Sequence, residues 1–105
     1  MVWHASSMMI ISVLYPVGSD DTFDMDYYMS SHVPLVQRLL EPMGMRQARV
    51  MKADSDAAFP VVAELDFDDL DSLNAALAAH GPETQADIPN FTNVTPVIQI
   101  SERIL

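Results

Sequence analysis

Four short stretches of this chain have the length and composition of β-strands, and three of them alternate apolar and polar positions. Residues 8–15 are mostly apolar and β-favouring, which is typical of a central strand covered on both faces. Residues 45–53 alternate long apolar with basic or small side chains. Residues 59–67 alternate as well, with one face formed by Val61, Ala63, Leu65 and Phe67. Residues 95–103 form a last strand, which Pro96 places at an edge or at its own start.

A first helix is predicted after the acidic turn that follows the first strand. Asp24 has the position of an N-cap. Phe23 and Tyr28 occupy the N′ and N4 positions, whose side chains pack together in a hydrophobic staple. From this start, steps of four and three residues trace one helix face through Met25, Met29, His32, Val36 and Leu39. Pro34 removes the usual partner of the Ser30 carbonyl, so we expect a kink or a restart there.

A second helix is predicted after the third strand. Asp68 or Asp69 is its cap, and its apolar stripe consists of Leu70, Leu73 and Leu77. The pair Gly81-Pro82 predicts its end, and residues 83–89 are then expected to form a loop.

The order strand, helix, strand, strand, helix, strand is the βαββαβ pattern of a ferredoxin-like α+β fold, an antiparallel sheet with both helices on one face. We expect one domain over residues 8–105 and a loose N-terminal extension over residues 1–7. The bare face of the sheet needs a cover. The same face of a second copy would provide it, which predicts a homodimer through the sheet face.

Charge and composition exclude several classes of function. The chain has 105 residues and a net charge of −10, so it repels nucleic acids and anionic membranes. It has no cysteine, which excludes disulfides and thiolate metal sites. No stretch has the length of a membrane span and no signal peptide is recognisable, so a cytoplasmic location is expected.

His32 is the residue most open to a chemical role, because it lies on an apolar helix stripe with Tyr28 one turn before it. Such a histidine is usually a core residue bonded to a carbonyl or hydroxyl. The competing interpretation is a general acid–base residue, with the Tyr28 hydroxyl orienting its ring or donating to a developing oxyanion. Tyr27 points about 100° away around the helix and is expected at a rim or interface.

The other charged residues favour structural roles. Arg46, Arg49 and Lys52 could hold a carboxylate-bearing substrate, but the favoured prediction is that they balance acidic residues of the neighbouring strand. The aspartates at positions 66, 68, 69 and 71 lack the spacing of a calcium loop, so no metal site is predicted. No nucleotide-binding or nucleophile motif is present.

Residues 23–35 closely resemble the signature of the EthD family, named for a role in ethyl tert-butyl ether degradation. That signature is F-D-x-x-Y-Y-x-x-x-H-x-P-L, and each marked position matches. Residues 86–98 are similar to the closing motif of the family, so the resemblance spans nearly all of residues 8–103.

The resemblance implies a dimeric α/β-barrel with a cleft in each subunit between helices and sheet. Relatives on that fold include muconolactone isomerase, polyketide cyclases and dehydratases, antibiotic-biosynthesis monooxygenases and haem-degrading enzymes. His32 and Tyr28 are then the expected catalytic residues. The expected contacts of a substrate are Tyr15, Tyr27, Met29, Pro34 and Phe91.

Three functions remain open from the sequence. The leading hypothesis is a cofactor-free isomerase, cyclase or dehydratase that acts on a small hydrophobic organic molecule through His32. The second is a non-catalytic binding or accessory protein that supports an oxygenase in ether degradation. The third is a haem-binding, monooxygenase-like protein with His32 as axial ligand.

Overall fold

The computed structural model describes residues 8–105, and the predicted extension over residues 1–7 lies outside the described residues. The elements follow the order β1 (Met9–Tyr15), α1 (Met25–Tyr27), a π-helical segment (Tyr28–His32), α2 (Val33–Leu40), a 3₁₀ turn (Glu41–Met43), β2 (Met45–Lys52), β3 (Val61–Phe67), α3 (Leu70–Ala86), a second 3₁₀ turn (Ile88–Asn90) and β4 (Val97–Glu102). Together, α1, the π-helical segment and α2 correspond to the first predicted helix. The predicted βαββαβ order is confirmed.

The four strands form one antiparallel sheet in the order β2-β3-β1-β4. The predicted central position of β1 is confirmed, and β4 is an edge strand as Pro96 indicates. In the register, Val13 of β1 stands opposite Ala63 of β3 and Ile98 of β4. Because side chains alternate along a strand, these residues share the face of the sheet on which the helices pack.

The core lies between that face and the helices. Ile11, Leu65 and Phe67 from the sheet form one cluster with Leu40 of α2 and Leu73 of α3. The predicted inward face of β3 is confirmed, because its four residues are all buried. Full burial of one such side chain contributes roughly 1.5–3 kcal/mol, so this cluster holds the helices on the sheet.

The opposite face of the sheet carries an ion-pair cluster. The Arg49 guanidinium donates to both carboxylate oxygens of Asp66 at 2.7 Å and to Glu64 at 3.2 Å. This confirms the predicted charge balance between neighbouring strands for Arg49. Arg46 pairs with Asp68, just after β3, at 2.6 Å. Cover of this face by a second copy stays a prediction.

Both predicted helix starts are confirmed. The Asp24 carboxylate accepts from the Tyr27 N–H at 3.0 Å, and the Asp69 carboxylate accepts from the Ser72 N–H at 2.7 Å. The predicted end of the second helix at Gly81-Pro82 is wrong, because α3 continues to Ala86. The Thr84 hydroxyl donates to the Gly81 carbonyl at 2.9 Å within this continuation.

The predicted stripe of α3 also needs a correction. Leu70 is 45 % exposed, whereas Leu73 and Ala76 are fully buried. Leu70 is the first helical residue after the cap, where the chain has only begun to approach the sheet. Within residues 8–105, no helix combines the length and apolarity that crossing a membrane requires.

Candidate functional site

A π-helical segment places the two principal candidate residues at its ends, Tyr28 and His32. Its formation follows from two side chains. The Ser30 hydroxyl donates to the Asp26 carbonyl at 2.6 Å, which competes with the helical backbone bond. Pro34 has no N–H to donate to the preceding turn. The predicted restart at Pro34 is therefore confirmed, since α2 begins at Val33 with Pro34 in its first turn. π-Helical turns occur frequently at functional sites.

Tyr28 and His32 both face inward and are buried. Their rings stack with centroids 5.5 Å apart and planes 20° apart. The Phe91 ring lies 4.5 Å from the His32 ring and 5.0 Å from the Tyr28 ring. The predicted staple is also present, with the Phe23 and Tyr28 rings 5.1 Å apart. This packing fixes the side-chain angles of both candidate residues.

A carboxylate beside His32 completes a histidine–carboxylate pair. The His32 Nδ1 atom lies 2.9 Å from Asp87 Oδ2, and the side chains are only 7 % and 14 % exposed. Asp87 stands immediately after α3, between Ala86 and the 3₁₀ turn that starts at Ile88. The continuation of α3 past Gly81-Pro82 is thus what brings this carboxylate to His32.

Asp87 is itself held by two further donors. The Tyr27 hydroxyl donates to Oδ1 at 2.7 Å and the Asn90 amide donates to Oδ1 at 2.9 Å. Burial on its own raises the pKa of Asp87, but the hydrogen bonds from Asn90, His32 and Tyr27 outweigh it, and the pKa lies below the ordinary value. The carboxyl group is therefore ionised around neutral pH. The hydrogen bond between Tyr27 and Asp87 also raises the pKa of the Tyr27 hydroxyl.

These contacts assign the tautomer of His32. An ionised carboxylate is only an acceptor, so Nδ1 carries a hydrogen and donates it to Asp87. In the neutral ring, Nε2 then holds a lone pair. Among residues 8–105, no side chain or backbone group bonds to this Nε2, and no polar side-chain atom of the described chain is both fully buried and unpartnered. His32 is thus arranged as a base with its second nitrogen open.

A cavity of about 740 Å³ lies between the sheet and the helices, and His32 and Tyr28 form part of its wall. Its volume is within the usual range for small-molecule sites. Most of the wall is aliphatic, with contributions from Val13, Val33, Val36, Leu77, Ile88 and Ile98.

Tyr15 and Tyr28 also belong to the cavity wall. Burial raises the pKa of Tyr28 to about 12, although a hydrogen bond with Tyr15 lowers it in part. Burial and the neighbouring Tyr28 raise the pKa of Tyr15 still more. Both phenols therefore stay neutral around pH 7, and the Tyr28 hydroxyl can act as a hydrogen-bond donor.

Two predicted substrate contacts do not line the cavity. Met29 is 47 % exposed, because Tyr28 and His32 occupy the inward side and turn the residue after Tyr28 outward. Its predicted place on the inner stripe is wrong. Pro34 is exposed in the first turn of α2, where a residue without an N–H is tolerated. Val33 and Val36 line the cavity instead.

Tyr27 and Phe91 are not among the residues that line the cavity, and their contact with a substrate stays a prediction. Tyr27 holds Asp87, and Phe91 packs against His32. Asp87 itself was not among the residues predicted for the site. The one sequence signal that pointed to it is the closing motif over residues 86–98, since a contact across 55 positions leaves no local periodicity.

The fold and the site define a ferredoxin-like α+β protein of the kind that forms dimeric α/β-barrels, with a histidine–carboxylate pair at a largely apolar cavity. Residues 18–95 match the family model of the EthD domain. The chain therefore belongs to the EthD family.

Solved structures agree with this assignment. An EthD-like protein from Ralstonia eutropha JMP134 is 32% identical, with 95% of each chain covered and a TM-score of 0.84. An ethyl tert-butyl ether degradation (EthD) family protein from Bacillus halodurans C-125 is 20% identical, with 93% of this chain and 99% of that chain covered and a TM-score of 0.70.

A more distant structure shares the fold alone. SnoaB, a cofactor-independent oxygenase from Streptomyces nogalater, is 12% identical, with 94% of this chain and 97% of that chain covered and a TM-score of 0.65. No curated protein matches the sequence.

Proposed function

We propose that this EthD-family protein binds a small hydrophobic organic molecule in the cavity and moves a proton of that molecule through His32, without a cofactor. The observation that carries the proposal is His32 in the cavity wall, with its Nδ1 held at 2.9 Å by the Asp87 carboxylate behind it. A histidine with a purely structural role in the core needs only one hydrogen-bonded nitrogen and a place that excludes solvent. Here the unbonded nitrogen belongs to a ring that borders a space large enough for a ligand.

The proposed step begins with a ligand that carries a carbonyl group. His32 Nε2 takes a proton from the carbon next to the carbonyl, and the electron pair of that C–H bond moves onto the carbonyl oxygen as an enolate. The imidazolium that results is stabilised by Asp87, because its Nδ1–H donates to an ionised carboxylate. Where the ligand also has a conjugated carbon–carbon double bond, return of the proton to the far carbon of the dienolate is an isomerisation. Where it has a hydroxyl on the β-carbon, the enolate re-forms the carbonyl as the C–OH bond breaks, and the proton joins the departing hydroxide as water, which is a dehydration.

Tyr28 supplies the second part of the proposed chemistry. Its neutral hydroxyl lies in the cavity wall beside His32 and donates to the oxygen on which charge develops. Tyr28→Phe keeps the ring stacking but removes the donor. We expect this variant to lower the rate of proton transfer by roughly 10–100-fold with little change in ligand affinity, as measured by NMR exchange rates and calorimetry. An unchanged rate would remove Tyr28 from the mechanism.

Hydrogen–deuterium exchange of ketones tests the proposal without a known substrate. A panel of uncharged ketones that includes 2-acetylnaphthalene is incubated with the protein in D₂O, and loss of the α-proton signal is followed by ¹H NMR. We expect exchange above the buffer rate for at least one ketone that binds. Saturable binding without exchange for every member of the panel would instead support the binding-protein alternative.

The charges around the cavity do not support the haem alternative. Haem carries two propionates, which need cationic partners. In the part of the chain that the structure describes, Arg49 is the one Lys or Arg among the residues that line the cavity, and its guanidinium is paired with Glu64 and Asp66 on the opposite face of the sheet. We expect haem titration to give no Soret shift that depends on His32. A sharp shift in the wild type that is absent from His32→Ala would restore this alternative.

A further inference from the structure

The charge distribution around the cavity restricts the ligands that it can take. All five Lys and Arg residues of the sequence lie within the described residues. Arg46 is paired with Asp68, and the Arg103 guanidinium donates to the Leu105 carbonyl. Arg49 is paired on two sides, and its contacts with Asp66 and Glu64 raise its already high pKa. Arg38 and Lys52 are exposed and do not line the cavity.

The nearest formal charge to a bound ligand is negative. Asp87 lies directly behind His32, and the hydrogen bonds that hold it keep its pKa below the ordinary value. With His32 neutral, as a base must be, an anionic ligand beside the ring meets this carboxylate, and among residues 8–105 no Lys or Arg at the cavity is free to pair with it. Burial of a charge without a partner costs several kcal/mol in a low-dielectric environment.

Two hydroxyl groups of the wall are committed to the protein. The Thr84 hydroxyl donates to the His80 and Gly81 carbonyls, and the Thr92 hydroxyl donates to the Thr22 carbonyl at 2.6 Å. The groups left for a ligand at the inner end are the Tyr28 hydroxyl and His32 Nε2. These two groups suit a ligand with one oxygen, to which the Tyr28 hydroxyl donates, and a nearby carbon, from which His32 takes a proton.

We infer that the cavity selects uncharged ligands with a single ketone, ester or phenol oxygen on an apolar body, and that it rejects the corresponding carboxylates. This inference rests on the proposed function for the placement of the oxygen at Tyr28 and His32. It goes further in naming the substrate class.

A matched pair of probes tests the inference. 2-Acetylnaphthalene and 2-naphthoate have the same ring system and nearly the same size, and they differ in a methyl ketone against a carboxylate. At pH 8, calorimetry on the wild type should give a Kd for the carboxylate at least about tenfold weaker than for the ketone. Equal or tighter binding of 2-naphthoate would overturn the inference, and so would the absence of binding for both probes.

A cation added to the rim provides a second measurement. Thr95 is exposed and lines the cavity, and no side-chain hydrogen bond of the described chain involves it. Thr95→Lys should reduce the ratio of the Kd for 2-naphthoate to the Kd for 2-acetylnaphthalene. Thr95→Gln, whose side chain has similar reach and no charge, should leave this ratio unchanged. An equal preference in both variants would contradict the charge argument.

The two proposals fail in different ways. If the ketone binds selectively but its α-proton does not exchange, the proposed function fails and the selectivity stands. If the carboxylate binds as tightly as the ketone while exchange still depends on His32, the selectivity fails and the proposed function stands.

Discussion

His32→Gln should slow the exchange of ketone α-protons by roughly 10²–10⁴-fold, which is the usual contribution of a positioned general base. Glutamine has a similar length and can still donate to Asp87, so the variant loses the basic nitrogen with little loss of packing. The measurement is the exchange rate in D₂O at saturating ketone, with Kd determined separately. We expect Kd to change by much less than the rate, because the apolar wall supplies most of the binding.

His80→Gln is the matched control. His80 also has a carboxylate at its Nδ1, Glu83 at 3.2 Å, but it does not line the cavity. Its replacement should leave the exchange rate at the wild-type level. If both variants lose the same fraction of the rate, the effect comes from general damage to the protein and His32 has no special role.

Asp87→Asn should have the second largest effect. The amide cannot stabilise the imidazolium, and its N–H group favours the ring tautomer that places the lone pair on Nδ1, away from the cavity. We expect the exchange rate to fall by roughly 10²–10³-fold, since the orienting carboxylate determines the tautomer and stabilises the charged ring. Tyr27→Phe, which removes one donor to Asp87, is the graded comparison and should have a smaller effect.

The same variant has a pH-dependent effect on stability, with a defined sign. The pKa of Asp87 is lowered in the folded protein. Its stabilising contribution is therefore present above the unfolded value of about 3.9 and is lost as the pH falls through the folded value. In urea unfolding, the stability difference between wild type and Asp87→Asn should shrink as the pH is lowered below about 4. A difference that grows on acidification would contradict the assignment of the charge.

Local patterns in the sequence were sufficient for the architecture. Alternation along β3 predicted its buried face because side chains in a strand must alternate. Asp24 and Asp69 predicted the helix starts because their carboxylates accept the first free N–H groups. These relations involve residues within a few positions of each other.

The site needed information that local patterns do not contain. Helical periodicity placed Met29 on the inner face, and the π-helical segment moves it to the outside. The stop signal at Gly81-Pro82 hid the continuation of α3, and with it the reason why Asp87 reaches His32. The pairing of His32 with Asp87 is a tertiary contact, so only the family's closing motif could direct attention to residue 87.

The central claim is that His32, oriented by Asp87, presents a basic Nε2 to a ligand in the cavity. The ¹⁵N NMR spectrum of histidine-labelled protein, recorded with and without 2-acetylnaphthalene, tests this most directly. In the neutral His32 ring we predict the hydrogen on Nδ1, and we predict a shift of the Nε2 resonance when the ketone binds. A hydrogen on Nε2 in the neutral ring, or an Nε2 resonance that ketone saturation leaves unmoved, would contradict the claim.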